Sequence, residues 1–180
     1  MPGALREETS RLLADYLQHR LGATPLPPPP SRAAETLRRV GAELESRERA
    51  FFRSAALPEP GQAAALVSRV AAQMEAEGGL NWGRVVALVA FAGSLAAALA
   101  EERGAPGREE SEEVAEALAA YLAGEKRAWM EEHGGWDGFY HFFNKHGSDP
   151  ADQNSTISNA IMAAAAGFGL AGLAFLLAVR

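Results

Sequence analysis

The chain has 180 residues, 48% of them hydrophobic and 22% charged, a balance that predicts one globular domain with room for a short appendage. The formal net charge of −6 means that acidic residues outnumber basic ones, so nucleic acid is not an expected partner. The lack of cysteine excludes disulfides, thiolate metal sites and cysteine nucleophiles.

The first predicted helix runs from about Ala4 to Leu21. Its apolar residues recur at helical spacing and form one stripe: Leu5, Leu12, Leu13, Tyr16 and Leu17. Gly22 and the proline-rich run Pro25–Pro30 end this helix. Such a run predicts a stiff, extended connector, and we interpret it as a spacer rather than a ligand for proline-binding modules.

Two amphipathic helices are predicted next. Ser31 is placed to cap the first of them, whose inward residues at helical spacing are Leu37, Val40 and Leu44. Phe51 and Phe52 follow at or beyond its end. The other helix starts near Gln62 and stops at Gly78-Gly79, with four residues facing inward: Leu66, Val67, Val70 and Met74.

The most unusual helix of the predicted domain follows a cap at Asn81. From Val85 to Ala100 the chain has sixteen residues without a charge. A helix that is apolar on every side must be surrounded on every side. Because the run is short for a membrane span, we predict the central helix of a bundle.

The remaining part of the domain is predicted to hold a polar turn and two further helices. The turn covers Glu101–Glu110, and Ser111 opens the next helix, which has a break at Gly124 and continues to Met130. Gly134-Gly135 stop it, and Asp137 caps a last short helix that carries three aromatic residues: Phe139, Phe142 and Phe143. No strand pattern occurs. The sequence therefore predicts an all-α bundle in which amphipathic helices wrap one hydrophobic helix.

We expect the bundle to occupy residues 1–146, with a linker at 147–156 and a C-terminal transmembrane helix, a tail anchor, at 157–180. Residues 160–179 are twenty consecutive uncharged residues, which as a helix would reach about 30 Å, the thickness of a hydrocarbon core. The alternative for this segment is a buried core helix. An anchor here predicts a protein that faces the cytosol from the mitochondrial outer membrane, the endoplasmic reticulum or both.

Two segments resemble the B-cell lymphoma 2 (Bcl) family of apoptosis regulators. Asn81-Trp82-Gly83-Arg84-Val85-Val86 resembles the first Bcl-homology motif, and Gly134-Gly135-Trp136-Asp137-Gly138-Phe139 resembles the second. Weaker matches at Leu5–Leu21 and Leu37–Leu44 are similar to the N-terminal and third motifs. The sequence of residues His133–Phe139 and the short connector after the first helix resemble those of the branch that contains Bcl-B and Diva/Boo. This resemblance suggests a death-restraining role.

The resemblance implies a surface groove that sequesters the amphipathic death-motif helix of a pro-apoptotic relative, so that the chain acts as a monomer or a heterodimer. Arg84 matches the family arginine that receives the ligand's aspartate, because a guanidinium can hold a carboxylate with two hydrogen bonds. Asn81 caps the helix and presents its amide, and Gly83 lets the ligand pass closely. The predicted groove floor is Val70, Met74, Val86, Ala87 and Phe91, with Leu44 and Phe52 on the opposite wall; for each, core packing is the alternative.

The third motif departs from the family pattern at Ala42, where active death ligands carry aspartate after the small residue Gly41. This departure predicts a receptor for such helices rather than a donor. The rival interpretation within the family is a pro-apoptotic, pore-forming member, and outside it a tail-anchored scaffold. An enzyme is not expected, because the sequence has no phosphate loop, nucleophile elbow or metal pair. The residues predict no cofactor and no metal.

Overall fold

The structure, a computed structural model, describes residues 2–22, 27–47, 57–76 and 78–144. Its elements in chain order are α1 (Pro2–Arg20), α2 (Arg32–Arg47), α3 (Ala63–Ala76), α4 (Trp82–Arg103), α5 (Ala105–Ala120), a π-helical turn (Tyr121–Glu125), α6 (Arg127–Glu132) and α7 (Gly135–Asn144). The predicted all-α fold is confirmed for this part of the chain. Phe51, Phe52, the predicted linker and the predicted tail anchor lie outside the described residues.

Helix α4 is the centre of the bundle. Every residue from Trp82 to Gly93 is buried, and α4 packs against α1, α2, α3 and α5. Within the four described ranges, α4 alone has the length and hydropathy to cross a membrane, and 78% of its most apolar window is buried. Since these side chains are covered by other helices, the prediction of a central core helix is confirmed.

Side chains cap two helices at the predicted positions. The Ser31 Oγ accepts a hydrogen bond from the Ala34 N–H at 3.1 Å, at the start of α2. The Asn81 Oδ1 accepts one from the Arg84 N–H at 2.8 Å, at the start of α4. Each bond satisfies an N–H that has no partner within its helix, which fixes where the helix begins.

The predicted polar turn over Glu101–Glu110 is wrong. Helix α4 continues to Arg103 and α5 begins at Ala105, so only Gly104 separates them. Gly104 has a φ of 67°, which glycine adopts without steric cost, and proline is tolerated in the first turn of α5. Ser111 therefore does not open the helix; it is buried within it, and its hydroxyl donates to the Gly107 carbonyl at 2.7 Å.

The chain after α5 follows the predicted breaks with one change. The break expected at Gly124 is the π-helical turn, and Gly134 and Gly135 lie between α6 and the body of α7 with positive φ. Asp137 is not the cap of the last helix, because α7 begins at Gly135 and places Asp137 inside its first turn. A carboxylate there still interacts favourably with the helix dipole.

Candidate functional site

The predicted groove residues of α2, α3 and α4 belong to one hydrophobic cluster. All of those described are buried, with exposed fractions of 6% or less: Leu44, Val70, Met74, Val86, Ala87 and Phe91. The structure therefore brings the three helices together at these buried side chains. Phe52, predicted for the same wall, lies outside the described residues.

Arg84 lies at the corner between α3 and α4. Its side chain is 5% exposed, and its Nη1 donates hydrogen bonds to the Met74 carbonyl at 3.3 Å and to the Gly79 carbonyl. Met74 is in the last turn of α3, where carbonyl groups have no partner within the helix and the helix dipole is negative. The guanidinium thus caps the C-terminus of α3 beside the hydrophobic cluster.

The two motif segments meet in an aromatic cluster. The Trp82 ring lies edge-on to Trp129 with 4.8 Å between ring centroids, and edge-on to Phe139 at 5.5 Å. The Trp136 Nε1 donates to the Thr9 Oγ1 at 2.8 Å, which joins α7 to α1. These contacts give both tryptophans packing roles, and they fix the start of α4, beside which lie Asn81, Gly83 and Arg84.

An ion pair that the sequence pattern did not reveal also contacts the C-terminal turn of α3. The Lys126 Nζ, directly after the π-helical turn, contacts the Glu75 carboxylate. The two residues are far apart in the chain and on different elements, so no local spacing signals their contact. Lys126 and Arg84 thus both bind the last turn of α3.

A surface pocket of about 680 Å³ lies elsewhere, between α1 and α5, and includes Leu17, Leu21 and Ala115. It contains none of the predicted groove residues. Within the part of the chain that the structure describes, no group of three His, Asp or Glu side chains is arranged to hold a metal ion. The described titratable groups therefore offer no metal-based site.

Comparison with known proteins gives consistent matches. The family described as "Apoptosis regulator proteins, Bcl-2 family" matches residues 37–136. The chain is 66% identical to anti-apoptotic protein NR13 of Gallus gallus over 100% of both chains. It is 40% identical to human Bcl-2-like protein 10, covering 79% of this chain and 78% of that one. A solved complex of the zebrafish pro-survival protein NRZ with Bad BH3 is 36% identical, covers 79% of this chain and 97% of that one, and has a TM-score of 0.68.

Proposed function

Since the chain belongs to the Bcl-2 family of apoptosis regulators, we propose that it is an anti-apoptotic member that sequesters the death-motif helix of a pro-apoptotic relative. The observation that carries this proposal is the position of Arg84, a cation beside the apolar cluster of α2, α3 and α4. The 66% identity to a protein named anti-apoptotic supports this function over the pore-forming alternative.

The ligand helix would bury its apolar face against the cluster as α2 and α3 separate. Val70 and Met74 of α3 would form one wall and Leu44 of α2 the other. The α4 residues Val86 and Phe91 would lie between them. An amphipathic helix recognised in this way presents anchors at i, i+3 and i+7, which match a groove of this kind.

Arg84 would bind the aspartate of that helix with two parallel hydrogen bonds. Gly83, one residue before it, would allow the ligand backbone to approach. Asn81 would keep its capping bond to the Arg84 N–H, which holds the start of α4 in place. Removal of one partner of such a pair typically weakens the binding free energy by about 2–5 kcal/mol, because the remaining charge is left buried without its partner.

The tail at residues 157–180 would hold the domain on the cytosolic face of the mitochondrial outer membrane, the endoplasmic reticulum or both. The support is the uncharged run at 160–179, long enough to span a hydrocarbon core. Extraction of cell membranes with alkaline carbonate tests this. The full chain should stay in the pellet and a chain ending at residue 156 should not; equal release of both would contradict an anchor.

Calorimetric titration of the full chain in lipid nanodiscs with a Bad BH3 peptide tests the groove. We expect submicromolar binding that weakens at least tenfold in Arg84→Ala. Arg127→Ala is the matched control, because the pair that Arg127 makes with Glu131 is exposed and lies within α6. Unchanged affinity in Arg84→Ala would show that the proposed charge pair does not contribute to binding. A lack of binding to this and related peptides would contradict the receptor function.

A further inference from the structure

The proline-rich connector between α1 and α2 leads directly into a basic residue at the start of α2. Residues 27–32 read Pro-Pro-Pro-Pro-Ser-Arg, so Pro27 and Pro30 stand three residues apart and Arg32 follows two residues later. Segments of the form Pro-x-x-Pro are ligands for protein modules that have a groove lined by aromatic side chains. The sequence pattern alone favours a spacer, and the structure adds how this segment is held and how much of it is accessible.

The segment is constrained to an extended conformation. The proline ring fixes φ at about −65°, close to the value of a polyproline II helix. Because Pro27, Pro28 and Pro29 each precede another proline, their backbone is also kept out of the α-helical region. The structure has neither helix nor strand at residues 27–29. The connector therefore favours the conformation that a proline-binding groove recognises before any partner arrives.

Both ends of the segment are fixed to the bundle. The Pro27 carbonyl accepts a hydrogen bond from the Arg38 Nη2 at 3.2 Å, and Arg38 is itself bound to Asp15 of α1. At the other end, the Ser31 Oγ caps α2 through the Ala34 N–H. A segment that is ordered in advance loses less conformational entropy when it binds, which favours its recognition over that of a free chain.

The prolines of the pattern are accessible. Pro27, Pro28 and Pro30 are exposed and Pro29 is half-buried. A cavity of about 340 Å³ is lined by Pro30 and by residues of α1, so there is open space beside the connector. In a polyproline II helix, which has three residues per turn, Pro27 and Pro30 lie on the same edge. This edge is exposed at both positions.

Arg32 adds a charged contact after the prolines. It is exposed, and its guanidinium lies 4.5 Å from the centre of the Tyr140 ring of α7. Stacking on a ring uses the face of a guanidinium, whereas a carboxylate binds its N–H edge, so the two contacts are compatible. A partner that recognises the whole segment therefore carries acidic side chains beside its aromatic groove.

We propose that residues 27–32 are a docking site for an SH3-type module, whose aromatic groove binds Pro27 and Pro30 and whose acidic side chains bind Arg32. The segment contains none of the proposed groove residues of α2, α3 and α4, so the inference does not depend on the proposed function. It gives the chain a second partner, of a different class from the death-motif helix.

Calorimetric titration of the full chain in lipid nanodiscs with purified SH3 domains tests the prolines. Each domain is first shown to bind a synthetic Pro-x-x-Pro-x-Arg peptide, which makes a negative result decisive. We expect micromolar binding to the full chain. Pro27→Ala and Pro30→Ala should each weaken it about fivefold, because each loses a contact in the groove and stiffness in the connector. Pro28→Ala, at a position that the pattern leaves open, is the matched control and should weaken it about twofold at most.

A lack of binding by domains that bind the peptide would overturn the proposal. Equal losses in all three proline variants would overturn the assignment of Pro27 and Pro30 as the residues that enter the groove. Circular dichroism of each variant checks that the helical bundle is intact, so that a loss of affinity reports the contact. Titration with a Bad BH3 peptide should give the same affinity in all variants, and its failure would bear on the proposed function alone.

The second test concerns the charge. Arg32→Ala should weaken binding of the SH3 domain about tenfold and reduce the dependence of the affinity on salt, because ions screen a guanidinium–carboxylate contact. Arg39→Ala is the matched control: it removes the same charge from α2 and also loses one contact to α7, and it should change neither quantity. An affinity that does not respond to Arg32→Ala, or that responds equally to Arg39→Ala, would overturn the SH3-type site. Binding only to EVH1 or WW domains, which also take proline-rich segments, would do the same.

Discussion

Helices α2 and α3 would form the two walls of one groove, yet they are attached to the bundle in different ways. On α2, Arg38 binds the Asp15 carboxylate of α1 through both Nε, at 2.8 Å, and Nη2. At the end of α3, Arg84 of α4 donates to the Met74 carbonyl, which is a contact to the backbone. A side-chain charge pair in a buried setting is costly to break from one side. The α2 wall is therefore fixed to α1 by a charge pair, whereas the α3 wall receives a cation at its backbone.

Close packing fixes α2 further. The Tyr16 ring of α1 lies between Gly41 of α2 and Gly93 of α4. A Cβ on Gly41 would lie 2.5 Å from the Tyr16 hydroxyl oxygen, and one on Gly93 would lie 2.6 Å from its Cε1. Both contacts are too short for any residue but glycine without movement of the buried ring. The small residue of the third motif thus serves the chain's own core.

The other side of α2 is bound to α7. The Arg39 Nη2 donates to the Asn144 Oδ1 at 2.9 Å, and the Arg32 guanidinium lies 4.5 Å from the centre of the Tyr140 ring. With α1 on one side and α7 on the other, α2 cannot be offered to another protein without breaking contacts on both. This agrees with a chain that receives a death-motif helix and does not donate its own.

The largest expected effect is the loss of the α1–α2 charge pair. Arg38→Met should lower the free energy of unfolding by about 3 kcal/mol, because Asp15, 8% exposed, would remain buried without its cation. Urea unfolding monitored by circular dichroism measures it. Arg47→Met is the matched control on the same helix: it breaks an exposed pair with Glu43 and should cost at most about 0.5 kcal/mol.

Similar losses in the two variants would show that the Asp15–Arg38 pair does not fix α2. The comparison between the two walls would then depend on the Tyr16 contacts alone. A loss of unfolding free energy in Arg38→Met alone would show that the Asp15–Arg38 pair fixes α2.

A smaller effect is expected for the third motif as an isolated ligand. A peptide of residues 31–53 should bind a relative's groove poorly, because Ala42 offers no carboxylate to the groove arginine. Ala42→Asp should tighten binding about tenfold, the order expected for one hydrogen bond to a charged group. Fluorescence polarisation against the same groove measures both peptides. Nanomolar binding by the unchanged peptide would contradict the receptor-only role.

Much of the fold was predictable because its signals are local. The cap at Asn81, the glycine stops and the uncharged run of α4 each depend on neighbours in the chain, and all three are confirmed. The error at Glu101–Glu110 arose because a charged, glycine-rich stretch resembles a turn. In the structure one glycine, Gly104, makes the whole turn. Glu101, Glu102 and Glu109 are exposed on the two helices, whereas Glu110 is buried and pairs with Arg103.

The sequence indicated candidate members of the site, which remain predictions, but not the contacts that they make in the structure. The motif at Asn81–Val86 indicated Arg84 as the ligand-binding cation, which remains a prediction. No pattern indicated that Arg84 caps α3 or that Lys126 reaches Glu75. Both contacts join segments through tertiary packing, and the carbonyls that Arg84 binds belong to the backbone, which carries no sequence signal.

The smallest effect expected is a dependence of the fixed wall on pH through His19, beside the Asp15–Arg38 pair. Burial lowers the pKa of His19 below its usual 6.5, helped by Arg38 and Arg20 and opposed by Asp15. Because the unfolded chain binds the proton first, the stability from His19 is complete above about pH 6.5 and is lost as the pH falls toward the lowered pKa. Urea midpoints should therefore fall between pH 7.5 and 5.5, and less in His19→Gln. An equal change of the urea midpoint with pH in the two proteins would show that His19 is not coupled to this wall. A smaller change that also appears in Arg38→Met would show that the coupling runs through the charge pair itself.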